Sequence, residues 1–206
     1  MISIDLPGFG QSCCPPEVWG SSDYARFIAE FVDTLGLTGL TVIGHSFGGK
    51  VGVYLPLVNN QLVERLVLVS SPCVRLRPGL RIRLKGRMVR LVRTAISYGP
   101  IGKLVADRFA EALGSADYVA ATGMMRRVFV KVVNEDASEA LSRVRIPTLI
   151  VWGAQDTETP LRIGQAMHRL LPSSELKVFP YGGHFVHLEE LPEFCHLVRD
   201  FVGHKS

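Results

Sequence analysis

The chain has few cysteines, and their spacing argues against two common kinds of structural site. Four thiols occur in 206 residues, and none forms a CxxC pair or has histidines at ligand spacing, which argues against zinc. The adjacent Cys13 and Cys14 are poorly placed to bridge each other. We therefore predict four reduced thiols, no disulfide framework and no bound metal, for Cys13, Cys14, Cys73 and Cys195.

The sequence also lacks the marks of a secreted or membrane-spanning protein. Its start, MISIDLPGFG, shows no basic stretch followed by a long apolar one. No later uncharged apolar run is long enough to cross a bilayer. We expect a cytoplasmic protein without an integral membrane segment.

Acidic residues are missing from one long segment, between Glu64 and Asp107. The formal net charge of +4 and the pI near 9.0 are modest, and the excess is concentrated in this segment. The run Arg75 to Arg93 predicts a basic amphipathic helix, which could meet an anionic substrate, an acidic partner or a membrane surface. A solvated helix face explains it more simply, and nucleic acid binding is not predicted.

What the chain does contain is an alternation of short apolar runs with helical patterns. Nearly continuous Val, Ile and Leu is typical of parallel strands that are covered on both faces. We therefore predict the α/β class, with a mostly parallel sheet flanked by helices. The predicted strands are 1–5, 40–43, 66–69, 147–152 and 176–179.

Helical patterns fill the remaining segments. One helix is predicted from Ser21 or Ser22 to Gly36, and another after Ser46, with a kink or early end at Pro56. From Pro72 onwards the strand and helix alternation stops, which indicates an inserted helical cap. The predicted organisation is a first core segment 1–71, a cap 72–143 and a second core segment 144–206.

The stretch GHSFGG follows the predicted strand LTVI and precedes a helix. This is the context of the G-x-S-x-G elbow, in which a strained turn lifts a serine hydroxyl above a sheet. We expect side chains at Gly44 and Gly48 to clash across the turn. The turn makes Ser46 a candidate nucleophile and aims the N–H of Phe47 toward a developing oxyanion.

A serine hydroxyl is a weak nucleophile, so it needs a base and an acid that orients the base. Asp156 follows the predicted strand PTLIVW, and His184 follows LKVF. Both fall in loops at the carboxyl ends of strands, where the catalytic groups of open parallel sheets gather. The order of Ser46, Asp156 and His184 predicts a Ser-His-Asp triad.

Five blocks of the chain together resemble the α/β-hydrolase superfamily, in its branch of small esterases, haloperoxidase-like enzymes and carbon–carbon bond hydrolases. The resemblance implies a cofactor-independent serine hydrolase that acts on a small ester or related acyl compound. It implies the roles already assigned to Ser46, Phe47, Asp156 and His184, and carbon–carbon bond hydrolysis is the alternative chemistry. The blocks are DLPGFGQS, VIGHSFGG, LVLVSSP, IPTLIVWGAQD and GGHFVHLEELPEF.

The chain departs from the pattern of this family at its N-terminus. In the family, a further strand and the loop that donates the second oxyanion N–H lie upstream of DLPGFG, whereas here only Met1 to Ile4 precede Asp5. We expect an N-terminally truncated form of the fold. Either the first five residues fill the empty place in the sheet, or an apolar strand edge stays unpaired.

Simpler interpretations stand beside these. Ser46 could be a small residue in any strand-to-helix turn, although no GK[ST] follows to indicate phosphate binding. Asp156 could cap the helix that starts near Thr159, with Glu158 as the rival acid. His45 is expected to pack and hydrogen-bond rather than to transfer protons, and His187 to be a partly exposed histidine or one that supports the site from behind, rather than a catalyst. A catalytically silent protein that binds a ligand or partner is the alternative of another class, and the oligomeric state is left open.

Overall fold

A computed structural model describes residues 1–76 and 123–203 of the chain. The chain divides into two compact units, one of residues 1–75 with 131–206 and one of residues 76–130. The helices are α1 Ser21–Thr34, α2 Phe47–Val58, α3 Gly123–Asn134, α4 Ser138–Arg143, α5 Arg162–Leu170, α6 Val186–Glu189 and α7 Leu191–Gly203. The strands are β1 Leu40–His45, β2 Val63–Val69, β3 Thr148–Gly153 and β4 Ser174–Phe179.

The four strands form one parallel sheet in the order β1-β2-β3-β4. Successive residues of β2 point to opposite faces, so Leu66 and Leu68 join one buried cluster while Val67 and Val69 join another. Both faces of the sheet are therefore covered at its central strands, β2 and β3, as the continuous apolar runs predict. Four of the five predicted strands are confirmed.

The remaining prediction, a strand over residues 1–5, is wrong. Residues 1–5 form no strand, and the side chains of Met1 and Ile2 are exposed. A strand needs a neighbour to satisfy its backbone groups, and this segment pairs with none among the described residues. As a result β1 lies at the edge of the sheet, and 49% of Ile43 is exposed there.

Helix α1 packs against α2, and α2 packs against β1 and β2. Helix α1 ends as predicted, because Gly36 takes a φ of 63° while its N–H bonds to the carbonyl of Asp33. Helix α2 does not end early at Pro56 but continues to Val58. One lost N–H bond near the last turn is compatible with a helix that is packed on the sheet.

Lys50 fixes helix α2 to the last turn of α3 and to the residue that follows α3. Only 4% of this lysine is exposed, and its Nζ donates to the carbonyls of Val132 and Glu135 at 2.8 and 3.4 Å. The carboxylate of Glu135 in turn accepts hydrogen bonds from the N–H and the hydroxyl of Ser21, in α1. These bonds join the helix that carries the elbow to two other parts of the same unit.

The predicted cap, 72–143, and its basic helix, 75–93, fall largely outside the described residues. Within the ranges 1–76 and 123–203, none of the helices combines the length and the apolar character that crossing a bilayer requires. All four cysteines are free thiols, and Cys73 is fully buried. Burial raises the pKa of the Cys73 thiol to about 12, so this cysteine stays protonated at neutral pH.

Candidate active site

Three of the predicted site residues follow strand ends on the same edge of the sheet. Ser46 follows β1, Asp156 lies three residues beyond β3, and His184 lies in the loop after β4. Hydrogen bonds continue the sheet beyond the strands, from Ser46 N–H to the carbonyl of Val69 at 2.9 Å and from Gln155 N–H to that of Gly182 at 3.0 Å. The backbone therefore sets the relative positions of these loops.

Ser46 has the strained backbone that an elbow requires. Its φ is 50° and its ψ is −114°, values that non-glycine residues rarely adopt. Helix α2 begins at the next residue, so the N–H of Phe47 is a first-turn N–H group without an intrahelical acceptor. This geometry suits a nucleophile with an adjacent oxyanion donor.

Aromatic rings surround Phe47. Its ring lies 5.1 Å from that of Tyr24, edge to face, and 5.8 Å from that of Phe9. Phe9 belongs to the DLPGFG turn, which is tied to α1 by the hydrogen bond from Tyr24 Oη to the carbonyl of Pro7 at 2.9 Å. The first block of the sequence therefore packs against the start of α2.

The glycines of the elbow have different roles. A Cβ on Gly44 would lie 2.5 Å from the Cα and N of Gly49, so this position needs glycine. A Cβ on Gly48 would meet no described atom within 4 Å, so the predicted clash at Gly48 is wrong. The turn brings Gly44 against the backbone of Gly49 instead.

We expect Gly44→Ala to destabilise the fold by about 3 kcal/mol, because the new methyl group would push the elbow backbone apart. Gly48→Ala should be neutral or stabilise by up to about 1 kcal/mol, because alanine is the better residue inside a helix. Urea unfolding midpoints of the two variants and the wild type measure the difference. Equal midpoints for the two variants would contradict the assignment of the tight contact to Gly44.

Asp156 and His184 form a buried pair. The Nδ1 of His184 lies 2.9 Å from Oδ2 of Asp156, and the side chains are 8% and 0% exposed. The other oxygen, Oδ1, accepts the N–H groups of Glu158 and Thr159 at 2.9 and 2.7 Å. The carboxylate therefore closes a turn ahead of α5 and also faces the imidazole, so the two interpretations of Asp156 are compatible.

Thr159 contacts both members of this pair, and the sequence did not identify it as a site residue. Its hydroxyl lies 2.6 Å from Oδ2 of Asp156 and 3.2 Å from Nδ1 of His184. Burial raises the pKa of Asp156, but the hydrogen bonds from Thr159 and His184 outweigh burial and leave that pKa below its ordinary value. A threonine three residues after an aspartate, typical of a capping turn, was the signal available in the sequence.

Glu158, the rival acid, is placed differently. Its side chain is 54% exposed, and its Oε2 lies 3.8 Å from the other ring nitrogen of His184, Nε2. The Nδ1 atom, which an orienting acid must hold, faces Asp156. Within the described residues the Ser46 hydroxyl makes no hydrogen bond to this pair, and such contacts are often long before a substrate binds.

His45, His184 and His187 form a histidine cluster beside the elbow. The ring of His45 lies 4.8 Å from that of His184 and 4.6 Å from that of His187. Its Nε2 donates to the carbonyl of His184 at 3.0 Å, which fixes the loop that carries the candidate base. Burial lowers the pKa of His45 to about 4, and the neighbouring imidazoles add to this, so His45 is neutral at pH 7 and packs as expected.

This depressed pKa makes the folded protein sensitive to mild acid. The unfolded chain binds a proton at His45 near pH 6.5 whereas the folded chain binds it near pH 4, so stability is lost as the pH falls between these values. We expect His45→Gln, which keeps an N–H donor, to lose less stability than the wild type from pH 7 to pH 4.5. The difference should be on the order of 1–2 kcal/mol after allowance for partial exposure. Parallel losses in urea unfolding at the two pH values would contradict this assignment.

Comparison with known proteins identifies a family and several relatives that the chain matches. The sequence profile described as the alpha/beta hydrolase family matches residues 1–196. The chain is 26% identical over 221 residues to a 2-hydroxy-6-oxononadienedioate/2-hydroxy-6-oxononatrienedioate hydrolase of Pseudomonas sp, covering 98% of this chain and 77% of the relative. It is 28% identical over 225 residues to a pimeloyl-[acyl-carrier protein] methyl ester esterase of Neisseria meningitidis, covering 97% of this chain and 67% of the relative.

Among solved structures, an esterase from Exiguobacterium antarcticum has the same fold, with a TM-score of 0.71 and 22% sequence identity. The alignment covers 97% of this chain and 80% of the esterase. The chain is thus shorter than the proteins it matches.

Proposed function

We propose that this chain, which belongs to the alpha/beta hydrolase family, is a serine hydrolase that cleaves a small ester or a related acyl compound. The observation that carries the proposal is the buried contact between Nδ1 of His184 and Oδ2 of Asp156 at 2.9 Å, at the sheet edge where the Ser46 elbow also lies. An aspartate that accepts a hydrogen bond from Nδ1–H leaves Nε2 free to act as a base. Acyl transfer by a Ser-His-Asp triad uses this arrangement.

In the proposed reaction, the Ser46 hydroxyl attacks the substrate carbonyl while His184 Nε2 accepts its proton. The Phe47 N–H, at the start of α2, stabilises the oxyanion of the tetrahedral intermediate. His184 then returns the proton to the leaving alcohol as the acyl-enzyme forms. Water, deprotonated by the same imidazole, releases the acid and restores the serine.

Asp156 holds the imidazole in the required tautomer throughout this cycle. The depressed pKa of Asp156 keeps it ionised at neutral pH, so it can accept a hydrogen bond from Nδ1–H and stabilise the imidazolium that forms. No cofactor or metal enters these steps. The proposed organisation of the chain has an inserted cap, 72–143, that lies in the sequence between the core segments 1–71 and 144–206.

Carbon–carbon bond hydrolysis is the second candidate, because one matched relative is named as a 2-hydroxy-6-oxononadienedioate/2-hydroxy-6-oxononatrienedioate hydrolase. The relative named as a methyl ester esterase supports the ester substrate to a similar degree. The same triad can serve both reactions, so the choice depends on substrate assays. Ester turnover without turnover of 2-hydroxy-6-oxononadienedioate would favour the first candidate.

The first experiment asks whether the serine is activated at all. The full chain is incubated with a fluorophosphonate, and intact mass spectrometry and peptide mapping locate any adduct. We expect stoichiometric labelling at Ser46, which would justify a screen of short acyl esters. A folded chain that remains unlabelled would favour the catalytically silent alternative.

A further inference from the structure

We propose that the Thr159 hydroxyl is a positioning group that holds the Asp156–His184 pair in the orientation that proton transfer needs. The inference rests on the proposed function, because it concerns how the side chains of the same site are oriented. It is carried by one oxygen atom that lies within reach of three polar partners. These are Oδ2 of Asp156 at 2.6 Å, Nδ1 of His184 at 3.2 Å and the carbonyl of Ser70 at 3.4 Å.

The chemistry of these groups decides the direction of each hydrogen bond. A hydroxyl has one proton to donate and two lone pairs that accept. The ionised carboxylate can only accept, and the contact of 2.6 Å is the shortest of the three, so the Thr159 proton points to Oδ2. The lone pairs of the hydroxyl are then left for the Nδ1 proton of His184, and the carbonyl of Ser70, which can only accept, is a neighbour without a hydrogen bond from this group.

The Nδ1 proton is therefore shared between two acceptors, Asp156 Oδ2 at 2.9 Å and Thr159 Oγ1 at 3.2 Å. Two acceptors on one side of the ring favour the tautomer that carries its proton on Nδ1 and leaves Nε2 unprotonated. They also restrict rotation of the imidazole about its χ2 bond. Both effects prepare Nε2 to accept a proton from Ser46.

The backbone of Thr159 is fixed independently of its hydroxyl. Its N–H donates to Oδ1 of Asp156 at 2.7 Å, and its carbonyl accepts the indole N–H of Trp152 at 2.7 Å. Trp152 is fully buried, and Thr159 itself is 9% exposed. A valine at this position keeps both backbone bonds and nearly the same shape, so Thr159→Val removes the hydroxyl and little else.

The ordinary interpretation is that Thr159 only stabilises the turn after β3. Under that interpretation, losing the hydroxyl costs stability but leaves the His184 proton unchanged. Thr148 offers a matched control at the other end of the same strand. It is 1% exposed, and its hydroxyl donates to the carbonyl of Ile146 at 3.0 Å, so Thr148→Val removes a buried threonine hydrogen bond away from the site.

The experiment compares the wild-type chain of 206 residues with Thr159→Val, Thr159→Ser and Thr148→Val. Proton NMR follows the downfield resonance of the His184 Nδ1–H, assigned by its absence from a His184→Gln variant. The second readout is the rate constant for labelling by a fluorophosphonate. We expect Thr159→Val to shift this resonance and to slow labelling by about 10- to 100-fold, as misplaced catalytic groups typically do.

Thr159→Ser should restore the wild-type resonance and a rate within about threefold of wild type, because serine supplies the same hydroxyl. Thr148→Val should leave both readouts unchanged. A wild-type resonance in Thr159→Val, or equal slowing in Thr159→Val and Thr148→Val, would overturn the positioning role. If the wild type is not labelled at all, the proposed function fails, whereas the resonance still tests whether Thr159 holds the pair.

Discussion

Ser46→Ala should reduce the turnover of a short acyl ester by about a millionfold. The reason is that the remaining groups have no nucleophile to activate, whatever the alignment of His184 and Asp156. The strained φ of 50° at this position is no worse for alanine than for serine, so the fold should survive. Steady-state kinetics with a chromogenic acetate or butyrate ester measure the change.

Ser142→Ala is the matched control for this substitution. Ser142 is exposed, and its hydroxyl donates only to the nearby carbonyl of Glu139, so its loss should alter neither turnover nor labelling. Circular dichroism and the thermal midpoint confirm that each variant is folded. Turnover at the wild-type rate in folded Ser46→Ala would rule out Ser46 as the nucleophile.

Asp156→Asn should reduce turnover by about 10⁴-fold. An amide has nearly the same shape, but its NH₂ group would donate toward His184 and favour the tautomer with the proton on Nε2, which cannot accept a proton from serine. The carboxylate also receives four hydrogen bonds in the structure, from Glu158, Thr159 and His184. Some stability is therefore lost as well, so kinetics are compared at a temperature where both proteins are folded.

Glu158→Gln makes the same chemical change on the rival acid. Because Glu158 is half exposed and lies nearest the other ring nitrogen, we expect turnover within about threefold of wild type. The two variants together identify which carboxylate orients the imidazole. A large loss in Glu158→Gln with near-normal Asp156→Asn would reverse the assignment.

Much of the core could be predicted because its signals are local. The runs LVLV and TLIVW indicate strands that are buried on both faces, and the buried strands β2 and β3 occupy these places. The segment 1–5 carries a similar apolar pattern but forms no strand, because strand formation also depends on a neighbour that the local sequence does not reveal. The prediction of a clash at Gly48 was wrong for a related reason. The path of the turn decides which glycine lies against other backbone atoms, and that glycine is Gly44.

The candidate site was likewise predictable where its signals are local and not where they depend on distant parts of the chain. Motif order and strand ends place Ser46, Asp156 and His184 along one edge of the sheet. Thr159 was not recognised because it contacts His184 and Ser70, which lie 25 and 89 positions away from it in the chain. No spacing rule connects residues at these separations. The roles of all four residues remain predictions until the variants are measured.

The indole of Trp152 has an optical consequence. It is one of two tryptophans in the chain, it is fully buried against Gly164, and its N–H bonds to the carbonyl of Thr159. Indole fluorescence depends on the polarity around the ring and on the hydrogen bond of its N–H. Emission from Trp152 should therefore lie to the blue of that from the half-buried Trp19, and it would redden when the turn that holds Asp156 opens to water.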